Sequence, residues 1–382
     1  MDLCLLHKAV TKNIYYIHSG IVALHLNPKS KMTDFNYDEW QSFYHERVKG
    51  EHGLQLVRGY LAHAAALSAR NLPPIFEFSH LAALLGVDKV TLATICHSPH
   101  NYYRTFAIPK RTGGRREISV PRPILMKLQR WILANIVELV NVHDAAHGFL
   151  KNRSIVTNAR QHLGCNELLK IDILNFFPSI SSGKVRSLFA ELGYSGSVAS
   201  ALTRICTKND GLPQGAPTSP AISNLAAKAF DVRIADHCAE EGLTYTRYAD
   251  DIAISGERIA PHVRGKIIQI LADTELKIHP VKSRLFGPKD RKIIAGISIS
   301  SGKLMPPKDF VRSVRKDVYH VTTKGLLAHM AAIENFDPIY LERLLGRIAF
   351  WKHVTKNSDQ SLRAEFALKQ YMVVSGLAGE FQ

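Results

Sequence analysis

The chain has 382 residues, enough for two or three domains each with a buried core, and its 46% hydrophobic and 21% charged residues are those of a globular protein. Lysine and arginine number 49 against 33 acids, a formal charge of +16, and an excess of that size usually meets a polyanion. Five scattered cysteines (Cys4, Cys96, Cys165, Cys206, Cys238) make no CxxC pair, which excludes a zinc knuckle or thiol redox motif, and no apolar run approaches the ~18 residues of a membrane span.

Met1–Leu6 is interrupted at once by His7 and Lys8, so no signal-peptide core forms; with the sparse thiols this predicts a cytoplasmic protein, away from any membrane. Residues 1–60 lack clear periodicity and read as an N-terminal extension, partner-docking or extra packing. A helical pattern covers 54–70 and stops before Pro73-Pro74; 79–97 reads as a helical pair, with Ser79 as cap and Gly86 as the break. Tyr102 to Ile108 and Ile118 to Val120 read as strands of a hairpin turning at Thr112-Gly113-Gly114, its tip crowded with Lys110, Arg111, Arg115 and Arg116. Leu128, Ile132, Ile136 and Leu139 mark an amphipathic helix over 123–140.

Glu167 to Ile173 reads as a short apolar strand carrying an acid at its end. A loop and helix over 182–208 lead to a proline- and glycine-rich loop, Leu212 to Pro220, that opens a helix at 221–236. Tyr245 to Ser255 reads as a hairpin with Asp250-Asp251 at its turn, followed by a helix over 262–276 and a strand from Ile293 to Ile299. Beyond Pro306-Pro307 the pattern is helical: Phe310, Val314 and Val318 recur, as do Leu341, Leu345 and Ile348. The expected architecture is therefore an α+β core over 61–300 and a helical domain over 301–382.

Adjacent acids between apolar strands are costly to bury unless something pairs with them. An Asp-Asp pair alone is usually a surface turn. Beside a third acid, Asp172, at the end of another strand, it becomes a hard-cation site, because magnesium takes oxygen ligands from carboxylates and substrate phosphates. Two such ions ~3.5–4 Å apart can activate an attacking hydroxyl and stabilise the leaving oxygen of a phosphoryl displacement.

Tyr248-Ala249-Asp250-Asp251, preceded by Asp172-Ile173-Leu174-Asn175-Phe176-Phe177-Pro178-Ser179-Ile180 and by Gly211-Leu212-Pro213-Gln214-Gly215-Ala216-Pro217-Thr218-Ser219-Pro220, resembles the palm of reverse transcriptases in order and spacing. The resemblance covers about residues 100–300 and implies a right-hand polymerase fold, with fingers, an antiparallel palm sheet and a helical thumb. It implies that Asp172 and Asp250 bind the catalytic metals, two magnesium ions with manganese equally suited to oxygen ligands, and that Asp251 is the third acid. It places Phe177 under the nucleotide sugar, where a ring excludes a 2′-hydroxyl, with one of Phe176 and Phe177 left to pack in the core. Gln214 would line the incoming dNTP, in a loop whose backbone can approach the substrate at Gly215. Arg116 and Lys110 would hold the triphosphate, for which the arginine fork is suited. Arg115 fits either a contact or a solvated tip. Lys282 would also reach the phosphates, and Gly296 falls where the family has its primer-grip hairpin. Lys308, Arg312, Arg315 and Lys316 share one helix face; the stripe suits a phosphate backbone, or else is a solvated face.

Asn158-Ala159-Arg160-Gln161-His162, after His147-Gly148-Phe149-Leu150, resembles an element of bacterial retron reverse transcriptases. If helical, Asn158 and His162 share a face and could read structured RNA; without the family they would more often be a cap and a surface histidine. Ile294-Ala295-Gly296 stands where these enzymes typically have Val-Thr-Gly, which puts the usual RNA contacts in doubt. The resemblance implies a cognate structured noncoding RNA, DNA synthesis from a guanosine 2′-hydroxyl, a branched RNA–DNA product, host ribonuclease H to remove template, and antiphage defence with a separate effector protein. No maturase or endonuclease motif follows, which speaks against a group II intron protein. The alternatives are a group II-like, diversity-generating or abortive-infection reverse transcriptase, or an RNA–DNA scaffold that restrains a toxic effector.

Overall fold

The computed structural model describes residues 51–110, 113–274 and 276–377. Most of the expected N-terminal extension, residues 1–50, lies outside the described residues, as do Arg111 and Thr112 of the hairpin tip. The chain divides into two compact units. One is Met1–Val140, Ser182–Asn209 and Gly215–Thr218; the other is Asn141–Ser181, Asp210–Gln214 and Ser219–Gln382. The division runs through the loops near Ser181, Asp210 and Ser219 rather than at 60 and 300, and the C-terminal helices fall in the same unit as Asp172, Asp250 and Asp251.

In the first unit a helix Glu51–Ser68 precedes the pair Phe78–Leu85 and Lys89–His97. Gly86 closes the first of the pair in the left-handed conformation (φ 67°), and Asp88 caps the second by accepting from the Thr91 amide. Ser79 is not the cap. Glu77 holds that position, while Ser79 lies buried inside the helix and donates to the Glu77 carboxylate. Among the described residues no single helix is long and apolar enough to cross a membrane; this pair, bent by 102°, matches a span only by length and composition, and it buries Leu81, Leu85, Leu92 and Ile95 in the core.

Strands β1 (Tyr103–Pro109) and β2 (Arg115–Pro121) pair as the expected hairpin, Phe106 opposite Ile118 and Ile108 opposite Arg116. The next helix, Pro123–Asn135, is shorter than the apolar pattern. The backbone leaves helical geometry at Ile136 (φ −126°) and continues as a 3-10 turn over Val137–Leu139. The segment expected to be a loop and a helix over 182–208 is two helices, Ser182–Glu191 and Gly196–Cys206, separated at Gly193 (φ 105°).

In the second unit a four-stranded sheet runs in the order β4 (Thr244–Tyr248), β5 (Asp251–Gly256), β3 (Glu167–Asp172), β6 (Arg284–Phe286), with antiparallel pairs throughout. Leu168, Leu169 and Ile171 are all buried, as expected of an inner strand covered on both faces. The stretch read as one strand over Ile293–Ile299 is a tight hairpin instead. Strands β7 (Ile293–Ile294) and β8 (Ile297–Ser298) pair across Ala295 and Gly296, both at positive φ (45° and 84°), the requirement of a two-residue turn of this hand. The helices Lys308–Lys324, Leu326–Ala332, Tyr340–Thr355 and Asp359–Val374 close round Val314, Val318, Leu344, Ile348, Trp351 and Leu368, with Phe310 and Leu345 packed at the edge. The fold is thus α+β with a helical C-terminal bundle.

Candidate active site

The register of the sheet fixes the site. Asp172, the last residue of β3, is the cross-strand partner of Asp251, the first residue of β5. Tyr248 in turn pairs with Asp251, so the β4–β5 hairpin turns on Ala249 and Asp250 alone. The turn is tied to the end of β3, because the Ile173 amide donates to the Asp250 carbonyl at 3.0 Å. Three carboxylates therefore meet at one edge of the sheet.

Holding Ala249 is the structural problem, since it sits at φ 57°, where a Cβ is disfavoured by about 1–2 kcal/mol. Two neighbours hold it. Arg247, fully buried, donates from Nη1 to the Ala249 carbonyl at 3.1 Å. Gly148 packs so closely that a Cβ there would stand 2.9 Å from the Ala249 nitrogen. Arg247 is itself fixed by Asp231 of the Ser219–Glu240 helix: Nε donates to Oδ1 and Nη2 to Oδ2, each at 2.8 Å, and the Tyr245 hydroxyl donates to Oδ1 at 2.5 Å. Burial opposes the guanidinium charge, but the Asp231 charge and hydrogen bonds outweigh it and hold the arginine pKa above its usual value.

The segment after the Pro261–Ala272 helix returns to the acids. The His279 amide donates to the Asp172 carbonyl (2.7 Å) and the Ser283 hydroxyl accepts from the Asp172 amide (3.3 Å), which sets Lys282 over the carboxylate at 3.1 and 3.2 Å from its oxygens. Lys170, two residues before Asp172, lies 3.4 Å from Asp251. Burial, then the charges of Asp172 and Asp251, push the Asp250 carboxyl upward, partly offset by Lys282. Three neighbouring carboxylates that draw two ammonium groups form a hard-oxygen, anionic donor set that suits a divalent cation. As they stand, Asp172 is turned to Lys282 and Asp251 to Lys170, so among the described residues no three ligands are already gathered around one point.

Phe177 is half-buried near the acids, and Phe176 takes the core position at 3% exposure, the division expected of the pair. Gln214 lies in the second unit; Lys110 and Arg116 are exposed on the β1–β2 hairpin of the first. Gly215 (φ 117°) packs against β2, where a Cβ would stand 2.9 Å from the Ser119 carbonyl oxygen. Lys308, Arg312, Arg315 and Lys316 are exposed on one helix face, and with Lys289, Arg291 and Tyr319 they line a groove of about 1080 Å³.

Asn158 and His162 do not present the RNA-reading face expected of them. The helix there is only Ile155–Arg160, ending before His162, and both residues are 1% exposed. His162 bridges the sheet from behind, Nδ1 to the Ser255 hydroxyl (2.6 Å) and Nε2 to the Thr246 hydroxyl (2.7 Å), so both ring nitrogens are used within the protein. Burial, then the His147 charge, hold its pKa down at about 4. Arg247, Asp231, Lys170 and Ser283 were not expected; the one available signal was the charge of Lys170 inside an otherwise apolar strand.

Residues 108–298 match the family model described as reverse transcriptase (RNA-dependent DNA polymerase). The chain is 32% identical over 254 residues to the retron Ec86 reverse transcriptase of Escherichia coli, covering 65% of this chain and 79% of that protein. It is 34% identical over 325 residues to the retron Mx65 enzyme of Myxococcus xanthus (76% and 75%), and 33% identical over 254 residues to the Mx162 enzyme of the same organism (57% and 52%). Among solved structures, telomerase from Candida albicans in complex with a TWJ fragment of telomeric RNA aligns over 71% of this chain and 63% of that one, at 10% identity and a TM-score of 0.40. A sheet register that pairs Asp172 with Asp251 beside the Asp250 turn, inside a matched domain and on a chain this similar to retron enzymes, identifies the protein as a member of the bacterial retron-type reverse transcriptases, an RNA-directed DNA polymerase.

Proposed function

We propose that this enzyme copies part of one cognate structured noncoding RNA into single-stranded DNA, primed from the 2′-hydroxyl of an internal guanosine, so that the product is a branched RNA–DNA. The observation that carries the chemistry is the meeting of Asp172 with the Ala249–Asp251 turn across β3 and β5. Similarity to three retron enzymes supports the RNA-linked reading. In a right-hand arrangement the β1–β2 hairpin belongs to the fingers, the four-stranded sheet is the palm and the C-terminal helices are the thumb.

Asp172 and Asp250 would hold the divalent ions, magnesium or manganese, with Asp251 as the third acid. Bound there, the ions supply activation of the attacking hydroxyl and neutralisation of the leaving phosphate. Lys282 exchanges its Asp172 contact for a phosphate of the incoming dNTP. Lys110 and Arg116 grip the triphosphate, Gln214 lines the nucleotide, and Phe177 lies under the sugar and excludes a 2′-hydroxyl. The stripe Lys308, Arg312, Arg315 and Lys316 tracks the nucleic-acid backbone independently of sequence. Host ribonuclease H would clear the copied RNA, and the complex would act with a separate effector in antiphage defence.

Purification from the native genomic context, with the copurifying nucleic acid treated separately with RNase and DNase, tests this. A discrete RNA joined through a 2′–5′ branch to single-stranded DNA is the expected result. The double variant Asp250→Asn, Asp251→Asn should lose the DNA and keep the RNA. Heterogeneous RNA, or no attached DNA despite extension of an added primer, would overturn the branched-product reading.

A further inference from the structure

Phe149 has a costly backbone position that its own side chain does not explain. It sits at φ 64°, a region bulky side chains rarely adopt, yet its side chain stays 46% exposed, so neither backbone ease nor deep burial accounts for it. The preceding residues force the geometry. His147 donates its amide to the Arg247 carbonyl at 2.8 Å, beside the catalytic turn. Gly148 has no room for a Cβ against Ala249, and its carbonyl accepts from the fully buried Asn224 amide at 2.8 Å. The segment is thereby clamped to the turn, and the next side chain is delivered to the surface beside it.

There the Phe149 ring meets two others. Its centroid lies 6.0 Å from Phe177, tilted 49°, and 6.2 Å from Tyr248, tilted 46°, both within the range of favourable aromatic pairs. Phe177 also touches the buried Phe176, at 5.8 Å. Without Phe149, the half-buried Phe177 would keep its inner neighbour and lose its outer one.

We propose that Phe149 is a positioning residue for sugar selection, its ring fixing the attitude of Phe177 toward the incoming nucleotide. The inference rests on the sugar-facing reading of Phe177 given above. A ring excludes a 2′-hydroxyl only if it cannot swing aside, and the contact with Phe149 is what restrains it on the exposed side. The effect is on discrimination, through Phe177, and not on the acids.

The test measures kcat/KM for single-nucleotide incorporation of a dNTP and of the matching rNTP, in the wild type and in Phe149→Ala, Phe149→Gly, Phe149→Tyr, Phe177→Ala and the Phe149→Ala, Phe177→Ala pair. Loss of one aromatic contact should lower the dNTP preference of Phe149→Ala by about three- to tenfold. Phe149→Gly, which accepts positive φ without strain, keeps the fold while removing the ring and should show the same loss. Phe149→Tyr should retain the preference. The double variant should be no worse than Phe177→Ala, because the two act as one unit. Wild-type preference in both Phe149→Ala and Phe149→Gly, while Phe177→Ala loses it, would overturn the inference alone. An additive loss in the double variant would also overturn it, since Phe149 would then act independently. No loss in Phe177→Ala would remove the sugar-facing reading and this inference with it.

Discussion

Replacing Asp231 by asparagine should destabilise the fold by roughly 3–5 kcal/mol, the usual cost of leaving one partner of a buried ion pair alone. The structure argues for the full effect. Both side chains of the Asp231–Arg247 pair are completely buried, so no water can take over. Asp231 accepts three hydrogen bonds, from Arg247 Nε, Arg247 Nη2 and the Tyr245 hydroxyl. Asparagine offers one carbonyl oxygen and one amide, so whichever way it turns, a donor faces a donor. The rings of Phe176 and Phe230, 5.8 and 5.6 Å from the guanidinium carbon, supply a cation–π attraction of at most about 2 kcal/mol and cannot replace a carboxylate. Urea unfolding followed by circular dichroism measures the loss. Primer extension should fall with it, because Arg247 Nη1 also holds the Ala249 carbonyl. The apolar pair Asp231→Leu, Arg247→Met should recover most of the stability but not the extension rate, since the turn still lacks its donor. A loss below about 1 kcal/mol in Asp231→Asn, or full activity in the apolar pair, would refute this account.

Three further outcomes are expected. His162 and His147 are held down to about 4 by burial, so between pH 6.5 and 4 the unfolded chain binds protons that the native one does not; stability should fall as pH drops through that window, by on the order of 3 kcal/mol for His162 alone, and urea midpoints in His162→Phe should depend less on pH there. Gly148→Ala would drive a Cβ to 2.9 Å from the Ala249 nitrogen, and should cost about 1–3 kcal/mol in unfolding experiments together with much of the extension rate. Changing Lys308, Arg312, Arg315 and Lys316 together to glutamine should lower the slope of log affinity against log salt by roughly three, read by filter binding of labelled RNA; an unchanged slope would mean the stripe is only a solvated face.

The acids were legible because their neighbours announce them: an apolar run ending at Asp172, and a short hairpin whose turn is Asp250. Pairing across 16 residues, as between Asp231 and Arg247, leaves no periodic trace, and the polar Thr244–Tyr248 strand gives no contrast that would mark the arginine as buried. The Ile293–Ile299 run misled because a two-residue turn with alanine at positive φ carries half the usual glycine signal. Asn158 and His162 were expected to face RNA because helical spacing says which side chains share a face but not what covers that face; here both are buried, and His162 is taken up by Thr246 and Ser255 of the sheet. The dihedral at Phe149 is likewise set by contacts of Gly148 with a segment a hundred residues away.

The pairing of Asp172 with Asp251 also decides where the chain tolerates changes in length. Successive side chains in a strand point to opposite faces, so one residue inserted into Glu167–Asp172 or Asp251–Gly256 would turn an acid away from the other two while leaving the strand's composition almost intact. The exposed connection between the Leu326–Ala332 and Tyr340–Thr355 helices has no such register to keep. Length changes in that connection should therefore be tolerated, whereas in the sheet even a single-codon insertion would part the acids as surely as a substitution of one of them.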